Sequence, residues 1–323
     1  MTHDLNDLYI FAGESNLPLA EKICDYMQVP LKYTYFDRFS NDNLWVQLGE
    51  SVRGKDVYIV QSFSAPVNDY LVQLLMMVNI ARVGDARRVT AVIPHFSYAR
   101  SDKKDAPRVC ITARLIADLI ETAGADRVIT MTLHSEQVHG FFSIPLDHLT
   151  SLSVFLKHFE KYRGTDTTII SPDVGYAKHV VQLAQGLNLP FAVGSKVRLG
   201  DRDVRVDAIL GSGETAQRAI IIDDEIATGG SVMKTIDAVR KMGTQKFIVA
   251  ATHGIFSNNA AQRLQEMDDV EEIVVADTVY LPEPVRALPK LHVLSLAEVF
   301  GEAIIRNHRG QSMGSLFTFW HDD

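Results

Sequence analysis

One stretch of the sequence combines carboxylates, glycines and hydroxyl side chains within a few positions, and it reads IIIDDEIATGGSV. A loop of small residues in it separates an apolar run from a helical pattern. Glycines let a backbone come close to a ligand, the N–H groups at a helix start point at an anion, and hydroxyls add hydrogen bonds. The pattern indicates a phosphate-binding loop, formed by Ala227, Thr228, Gly229, Gly230 and Ser231.

Two adjacent carboxylates, Asp223 and Asp224, stand at the end of the apolar run, just before this loop. Carboxylates repel a phosphate, but they accept hydrogen bonds from the neighbouring hydroxyls of a sugar. The acids and the loop together fit a ribose phosphate. The same residues also fit an ordinary turn between a strand and a helix, with an Asp near the helix start and glycines for close packing. The paired acids favour the ligand site.

The elements that position these residues follow from the alternation of apolar runs and helical segments along the chain. Short runs rich in Val and Ile alternate with segments of helical period, which is typical of parallel sheets covered by helices. The predicted strands are DLYIFAG, DVYIVQS, RVTAVIPH and RVITMTLH in the first half and TTIISPD, PFAVGSK, RAIIIDD, KFIVAATHG and IVVADT in the second. Many of these runs end in polar residues, where open α/β sheets bind ligands.

The pattern predicts an α/β fold of two similar doubly wound domains with mostly parallel sheets. The boundary falls near HLTSLSVF, so the domains comprise residues 1–150 and 151–323. The final segment, SLAEVFGEAIIRNHRGQSMGSLF, is amphipathic. We expect roughly the last 20 residues to pack on the first domain.

Composition and charge limit the classes of function. The chain has 323 residues, of which 46% are hydrophobic and 22% charged, as in globular proteins. A net charge of −8 argues against broad electrostatic binding to nucleic acid or anionic membranes. Two cysteines, Cys24 and Cys110, imply no disulfide framework. With no signal-like N-terminus and no long apolar segment, we expect a cytoplasmic protein without nucleic-acid or membrane partners.

The acid pair and the loop resemble the phosphoribosyl pyrophosphate loop shared by type I phosphoribosyltransferases and ribose-phosphate pyrophosphokinases. Four other segments resemble the pyrophosphokinases in order and spacing: residues 88–105, 111–149, 171–175 and 295–317. The resemblance covers essentially the whole chain, and it identifies a divergent member of that family with type I phosphoribosyltransferase-like domains. A phosphoribosyltransferase is the alternative enzyme class, but it does not explain the resemblance at Arg100, His134 and Lys196.

The resemblance implies a reaction, a metal ion and an assembly. The β,γ-diphosphate of ATP would move to the anomeric hydroxyl of ribose 5-phosphate, giving phosphoribosyl pyrophosphate and AMP. Mg²⁺ is expected because the transferred group carries several negative charges, and Mg²⁺ binds phosphates while it retains waters. The N-terminal domain would lie on the ATP side and the C-terminal domain would hold the sugar phosphate. Self-association would give dimers that build into a hexamer.

The resemblance also implies roles for individual residues. Lys196 and Arg198, in SKVRLGDRDVR, match a Lys-x-Arg pair that closes over the diphosphate and stabilises transition-state charge. His134 and Asp173 match metal-associated positions. The positions implied for ATP binding are Phe39, Asn41, Asp42, Asn43, Arg100, Ser101, Asp102 and Lys103. Phe39 would stack on adenine, and Arg100 would hold phosphates with its planar, charged fork.

Taken without the resemblance, these residues have ordinary structural interpretations as well. The stretch RFSNDN fits a turn, and a single arginine after a strand is usually a solvated surface residue. His134 fits a buried, hydrogen-bonded histidine, and the Lys196 segment fits a charged hairpin.

The chain departs from the family pattern mainly around the expected nucleotide, metal and sugar-phosphate sites. The affected positions are Ala227, Thr132 and Ser143 in place of Asp, Ser101 in place of Gln, Asn43 in place of an acid, Ser231 in place of Thr and Tyr176 in place of Gly. Three hypotheses follow. The chain is a variant pyrophosphokinase, it transfers diphosphate to another 5-substituted ribose such as ADP-ribose, or it is a regulatory relative without chemistry. The retained acids and the Lys-x-Arg pair favour the first.

Overall fold

The computed structural model describes residues 5–198, 204–211 and 216–316, with side chains described except at 195–198, 204–211 and 315. The chain divides into two compact units. The first comprises the described residues of Met1–Thr150, Thr278–Tyr280 and Leu296–Asp323, and the second those of Ser151–Asp277 and Leu281–Ser295.

The first unit is built on a six-stranded parallel sheet in the order β2-β1-β5-β6-β7-β8, with a separate antiparallel hairpin of β3 and β4. Its strands are β1 (Leu8–Ala12), β2 (Leu31–Lys32), β3 (Thr34–Arg38), β4 (Leu44–Leu48), β5 (Asp56–Val60), β6 (Arg88–Ile93), β7 (Arg127–Met131) and β8 (Leu146–Leu149). Its first three helices are α1 (Leu17–Met27), α2 (Val67–Val83) and α3 (Thr112–Ala123).

The described residues of the second unit form a seven-stranded sheet in the order β11-β10-β9-β12-β13-β14-β15, in which β10 and β11 pair antiparallel and the other neighbours pair in parallel. Its strands are β9 (Thr167–Ser171), β10 (Phe191–Arg198), β11 (Val204–Gly211), β12 (Arg218–Ile226), β13 (Lys246–Gly254), β14 (Val270–Ala276) and β15 (Leu291–Leu294). Its helices are α4 (Leu152–Phe159), α5 (Ala177–Leu187), α6 (Gly230–Lys241), α7 (Ala260–Gln265) and α8 (Glu283–Arg286). Helix α9 (Ala297–His308) then returns to the first unit.

The central strand β5 shows why the first sheet is covered on both faces. All five of its residues are buried, and successive side chains of a strand point to opposite faces. Val57 and Ile59 join the apolar cluster that includes α2 and α3, whereas the hydroxyl of Tyr58 donates to Asn307 Oδ1 of α9 at 2.7 Å. Strands buried on both faces give continuous apolar runs in the sequence, as parallel sheets do.

A buried polar network attaches the end of α9 to this sheet. The side chain of Asp56 accepts two hydrogen bonds from Arg88, one of them 2.9 Å long from Nε, and its Oδ2 lies 2.7 Å from His308 Nδ1. A buried carboxylate with paired, charged donors holds its position strongly because an unpaired one is costly. Near the other end, a Cβ on Gly301 would lie 2.4 Å from the Tyr26 ring, so α9 and α1 pack closely. The C-terminal helix is therefore part of the first unit.

A second polar cluster lies in the second unit around Glu272 of β14. Its Oε1 accepts from Lys161 Nζ and from the Tyr162 hydroxyl, both at 2.6 Å, and its Oε2 lies 3.0 Å from His158 Nε2. Burial opposes ionisation of Glu272, but these hydrogen bonds outweigh it and lower its pKa from 4.5 to about 2. The ionised carboxylate therefore stabilises the fold.

This cluster predicts a pH dependence of stability. Because the pKa of Glu272 is depressed in the folded state, its contribution is present above about pH 4.5 and is lost as the pH falls toward about 2. We expect Glu272→Gln to lower the free energy of unfolding near neutral pH by about 1–3 kcal/mol. The stability of this variant should also fall less steeply than that of the wild type as the pH is lowered. Urea unfolding over a pH series measures both effects. Glu266→Gln, at an exposed carboxylate outside the cluster, is the control, and equal curves for the two variants would contradict the assignment.

The α/β class with two mostly parallel sheets is confirmed. Each predicted strand corresponds to an observed one, but the sequence patterns missed β2, β3, β4, β8, β11 and β15. Most of these are short, or lie at a sheet edge or in the hairpin, where apolar periodicity is weak. In the part of the chain that the structure describes, no helix combines the length and apolar character needed to cross a membrane.

Candidate functional site

In the second unit, the predicted acids lie near the carboxyl ends of neighbouring strands, Asp173 just after β9 and the acid pair within the last residues of β12. Strands β9 and β12 pair in parallel, with Ile170 opposite Ile221, so their carboxyl ends share one edge of the sheet. Asp173 follows β9 and caps the next short turn, since its Oδ1 accepts from the backbone N–H of Gly175 at 2.9 Å. Its charge acts on Asp223. The fold therefore brings Asp173 into the neighbourhood of the acid pair.

Asp223 and Asp224 lie inside β12 rather than at its end. The predicted end of the strand at the acid pair is wrong, because Glu225 and Ile226 continue the pairing opposite His253 and Gly254 of β13. Both acids are buried, at 9% and 6% exposure, and the backbone N–H of Asp224 donates to Asp223 Oδ1 at 3.0 Å. The sheet therefore holds both carboxylates on rigid backbone.

The environment of Asp223 disfavours its ionisation. Burial is the main cause, and the negative charges of Asp224 and Asp173 add to it, so the pKa of Asp223 is raised well above the usual range. Buried like charges cannot both be solvated. A ligand that donates hydrogen bonds to the pair, or a cation near it, would relieve this repulsion, which is the behaviour expected of a binding site.

The loop after β12 leads directly into α6. Gly229 is the N-cap of that helix with φ of +72°, a left-handed conformation that favours glycine, and a Cβ there would lie 3.2 Å from Met233 Cε. The first N–H groups of a helix and its dipole favour an anion. Thr228 and Gly229 therefore lie just before a helix start and Gly230 and Ser231 in its first turn, a geometry that suits the predicted phosphate loop.

A neighbouring turn supports this loop, and sequence reasoning did not single it out. The backbone N–H groups of Ile255 and Phe256 both donate to the carbonyl of Ile226 at 3.0 Å. Phe256, Asn258 and Asn259 have positive φ values of 51°, 54° and 54°. An Asn-Asn dipeptide after a strand is a recognisable turn signal, since Asn tolerates this conformation.

Tyr176 lies beside the acid pair but is buried in the interior, at 5% exposure. Its ring stacks on His179, with centroids 4.6 Å apart and an interplanar angle of 14°. Burial raises the pKa of Tyr176, and the charges of Asp224 and Asp223 add to this, while the Thr252 and Ser151 hydroxyls lower it. The side chain that replaces the expected glycine therefore fills the interior beneath the acids.

In the first unit, a second set of predicted residues follows the parallel strands β6 and β7. Arg100 and Lys103 are exposed, and the Ser135 hydroxyl donates to Asp102 Oδ2 at 2.7 Å, which connects the two segments. His134 is exposed between buried Leu133 and Ser135, so the structure excludes the interpretation of His134 as a buried structural histidine.

The remaining predicted residues of this unit form the turn of the β3–β4 hairpin. The backbone N–H of Phe39 donates to the Asn43 carbonyl at 2.9 Å, and the Phe39 side chain is 58% exposed. Asp42 has φ of +70°, and its carboxylate lies 2.7 Å from Arg38 Nη1. Asn41 Oδ1 accepts from the Asn43 N–H at 3.4 Å. The turn presents an exposed aromatic ring beside amide groups.

Lys196 and Arg198 lie in β10, whose backbone pairs with β11. Their side chains lie outside the described part of the structure, so their roles stay predictions.

The donors available for a metal ion are few. Among the described residues, no group of three or more His, Cys, Asp or Glu side chains forms a metal-binding cluster. The first unit offers an exposed imidazole at His134 and the second a carboxylate at Asp173. Either donor by itself suits an ion that takes most of its ligands from water and phosphate oxygens. Mg²⁺ binds in this way, so the donor set fits that ion better than a metal held by protein alone.

Comparisons with known proteins agree along the chain. Residues 8–124 match the N-terminal domain of ribose phosphate pyrophosphokinase, and residues 208–318 match the phosphoribosyl synthetase-associated domain. A ribose-phosphate pyrophosphokinase from Deinococcus radiodurans is 46% identical over 315 residues, which are 96% of this chain and 98% of that protein. One from Caldanaerobacter subterraneus is 40% identical over 319 residues, or 98% of this chain and 100% of that protein.

A solved structure is also similar. The crystal structure of phosphoribosylpyrophosphate synthetase from Mycobacterium smegmatis matches with a TM-score of 0.85 and 34% identity, covering 94% of this chain and 99% of that chain. Both the sequence and the fold are thus shared over nearly the full length.

Proposed function

Because the chain belongs to the ribose-phosphate pyrophosphokinase family, we propose that its two sites bind ATP and ribose 5-phosphate and carry out diphosphate transfer. The enzyme is a ribose-phosphate diphosphokinase. The anomeric hydroxyl of the sugar releases its proton to solvent as its oxygen forms a bond to the β-phosphorus of ATP, the bond from that phosphorus to the α,β-bridging oxygen breaks, and AMP leaves. The products are phosphoribosyl pyrophosphate and AMP.

The observation that carries the acceptor site is the acid pair set before a glycine loop and a helix start. In the proposal, Asp223 and Asp224 accept hydrogen bonds from the sugar hydroxyls, and the backbone N–H groups of Gly229, Gly230 and Ser231 bind the 5-phosphate. The side chains of Thr228 and Ser231 add donors, while Ala227 leaves space and no charge at its position. Binding both ends of the sugar orients its anomeric hydroxyl.

The ATP site of the proposal lies on the first unit. Phe39 supplies a face for adenine, with Asn41, Asp42 and Asn43 in the same turn, and Arg100, Ser101, Asp102 and Lys103 border the phosphates. Lys196 and Arg198 supply positive charge to the moving diphosphate and help to exclude water. His134 and Asp173 would hold Mg²⁺, which neutralises phosphate charge when it is bound.

An exposed phenyl ring makes the adenine assignment testable. We expect Phe39→Ala to raise the KM for ATP by roughly tenfold to a hundredfold, because stacking of a base on an aromatic ring contributes about 1–3 kcal/mol. The melting temperature should not change, since the ring is 58% exposed. Tyr33→Ala, at a ring 63% exposed just before β3, is the control. Steady-state kinetics with unchanged KM in Phe39→Ala would reject the stacking role.

A product assay tests the function as a whole. Purified protein is incubated with ATP, Mg²⁺ and either ribose 5-phosphate or ADP-ribose, and the products are identified by mass spectrometry. We expect AMP and phosphoribosyl pyrophosphate with ribose 5-phosphate. No AMP from folded protein would overturn the proposal, and AMP only with ADP-ribose would change the acceptor. The burial of Tyr176 gives no reason to expect a larger acceptor, because its ring packs into the interior.

Assembly and location are further parts of the proposal. The family resemblance predicts a hexamer built from dimers, which sedimentation velocity over a range of protein concentrations would measure. A cytoplasmic location agrees with the low cysteine content, two residues in the whole chain.

A further inference from the structure

The segment after β7 has an unusual backbone. Thr132 has φ of +40°, in the left-handed region, although its side chain is branched at Cβ. Such residues are rare there because of steric clash, and they persist only where surrounding contacts hold them. Strained residues of this kind cluster at functional sites. In this chain, the strained residue is two positions before His134.

Two contacts from β8 and its end hold the strained turn. The backbone N–H of Thr132 donates to the Leu149 carbonyl at 3.0 Å. The next N–H, that of Leu133, donates to the imidazole Nε2 of His148 at 2.8 Å. For Nε2 to accept, the ring must be neutral with its proton on Nδ1. A side chain thus replaces the carbonyl that a regular ladder would supply.

The consequence of these contacts is the outward direction of the next residue. Thr132 and Leu133 are buried, at 3% and 6% exposure, while His134 is exposed. Ser135 is again buried, and its hydroxyl donates to Asp102 at 2.7 Å. His134 is therefore the exposed point of a short segment held at both ends, on one side by His148 and on the other by Asp102.

We propose that His148 is a positioning residue for His134: by accepting the Leu133 N–H, it holds the strained turn that presents His134 to the metal-bound nucleotide. The inference rests on the proposed function for the role of His134. His148 is not among the predicted site residues, and it acts on His134 through the backbone N–H of Leu133. Groups that orient metal ligands typically change metal affinity by 10- to 100-fold when they are removed.

Two substitutions separate acceptor loss from side-chain loss. His148→Leu removes the acceptor and puts an apolar side chain in its place. His148→Gln can place its Oε1 near the former Nε2 position and accept the same N–H. His139→Leu removes an exposed histidine from the following turn and is the matched control.

Electron paramagnetic resonance on the full chain measures the affinity for Mn²⁺ in the presence of a non-hydrolysable ATP analogue. We expect His148→Leu to weaken Mn²⁺ binding by roughly tenfold or more, with His148→Gln and His139→Leu within about threefold of the wild type. Amide exchange at Leu133 should quicken only in His148→Leu. In steady-state kinetics, His148→Leu should raise the concentrations of Mg²⁺ and ATP that give half the maximal rate, while the KM for ribose 5-phosphate stays constant.

Several outcomes overturn the inference. These are equal Mn²⁺ affinity in His148→Leu and the wild type, a His148→Gln variant as weak as His148→Leu, a matching rise in the KM for ribose 5-phosphate, or a wild type that binds no Mn²⁺. If the wild type makes no phosphoribosyl pyrophosphate, the proposed function fails separately, and the Mn²⁺ affinities of the variants still decide the role of His148.

Discussion

Replacing Lys196 with Ala is expected to lower kcat for diphosphate transfer by at least roughly 100-fold to 1,000-fold, with no change in melting temperature. The physical reason is that the moving diphosphate carries several negative charges, and a positive group placed for the transition state contributes at the chemical step. The KM values should change less than kcat, because a contact made mainly in the transition state does not alter substrate binding.

A matched variant separates this role from general charge. Arg202→Ala removes a positive charge from the same polar stretch but outside the Lys-x-Arg pair, so its kcat should stay near that of the wild type. Rapid-quench measurement of AMP formation compares the chemical step in both variants. Equal rates in Lys196→Ala and the wild type would remove Lys196 from the mechanism, and equal losses in both variants would reduce its role to bulk electrostatics.

Replacing Asp223 with Asn is expected to make the protein more stable and much less active. Burial and the charges of Asp224 and Asp173 raise the pKa of Asp223, so the ionised form is held at a cost in free energy. A neutral amide of the same shape removes that cost and should raise the free energy of unfolding by about 1–3 kcal/mol at neutral pH. The kcat/KM for ribose 5-phosphate should fall roughly 10- to 100-fold or more, because one of the two side-chain oxygens that can accept from a sugar hydroxyl is replaced by an NH₂ donor.

The same substitution changes the pH dependence. In the unfolded chain the Asp carboxyl ionises near pH 3.8, whereas the folded protein keeps its proton to higher pH. The folded state therefore binds more protons in this window, and its stability falls as pH rises from about 3.8 through the raised pKa. In Asp223→Asn, this decrease of stability with rising pH should be absent. This direction is opposite to that at Glu272, whose pKa is lowered.

Thermal unfolding over a pH series, beside kinetics, measures both effects. Glu225→Gln serves as the control, because it removes a negative charge two positions after Asp223 and outside the acid pair. A less stable Asp223→Asn protein would contradict the like-charge explanation. Full activity in that variant would remove Asp223 from the acceptor site.

Several features of this protein could be read from local sequence. The order of apolar runs and helical segments predicts the two mostly parallel sheets, because burial on both faces leaves continuous apolar strands. The glycines after the acid pair predict a loop before a helix start, and α6 begins at Gly230 with Gly229 as its N-cap. These features depend on contacts within a few residues, so composition and spacing are enough to indicate them.

Other features depend on contacts between distant parts of the chain. Pairing with β13 carries β12 past Asp224, which buries the two acids in the sheet and raises the pKa of Asp223. The strained turn at Thr132 depends on His148, 16 positions away. The position of α9 depends on the contacts of Asp56 with Arg88 and His308, and His308 is 252 positions from Asp56 in the sequence. Spacing along the sequence carries no signal for such contacts, because only the folded backbone decides which side chains meet. Tertiary structure therefore decided the electrostatics of the acids and the direction of His134.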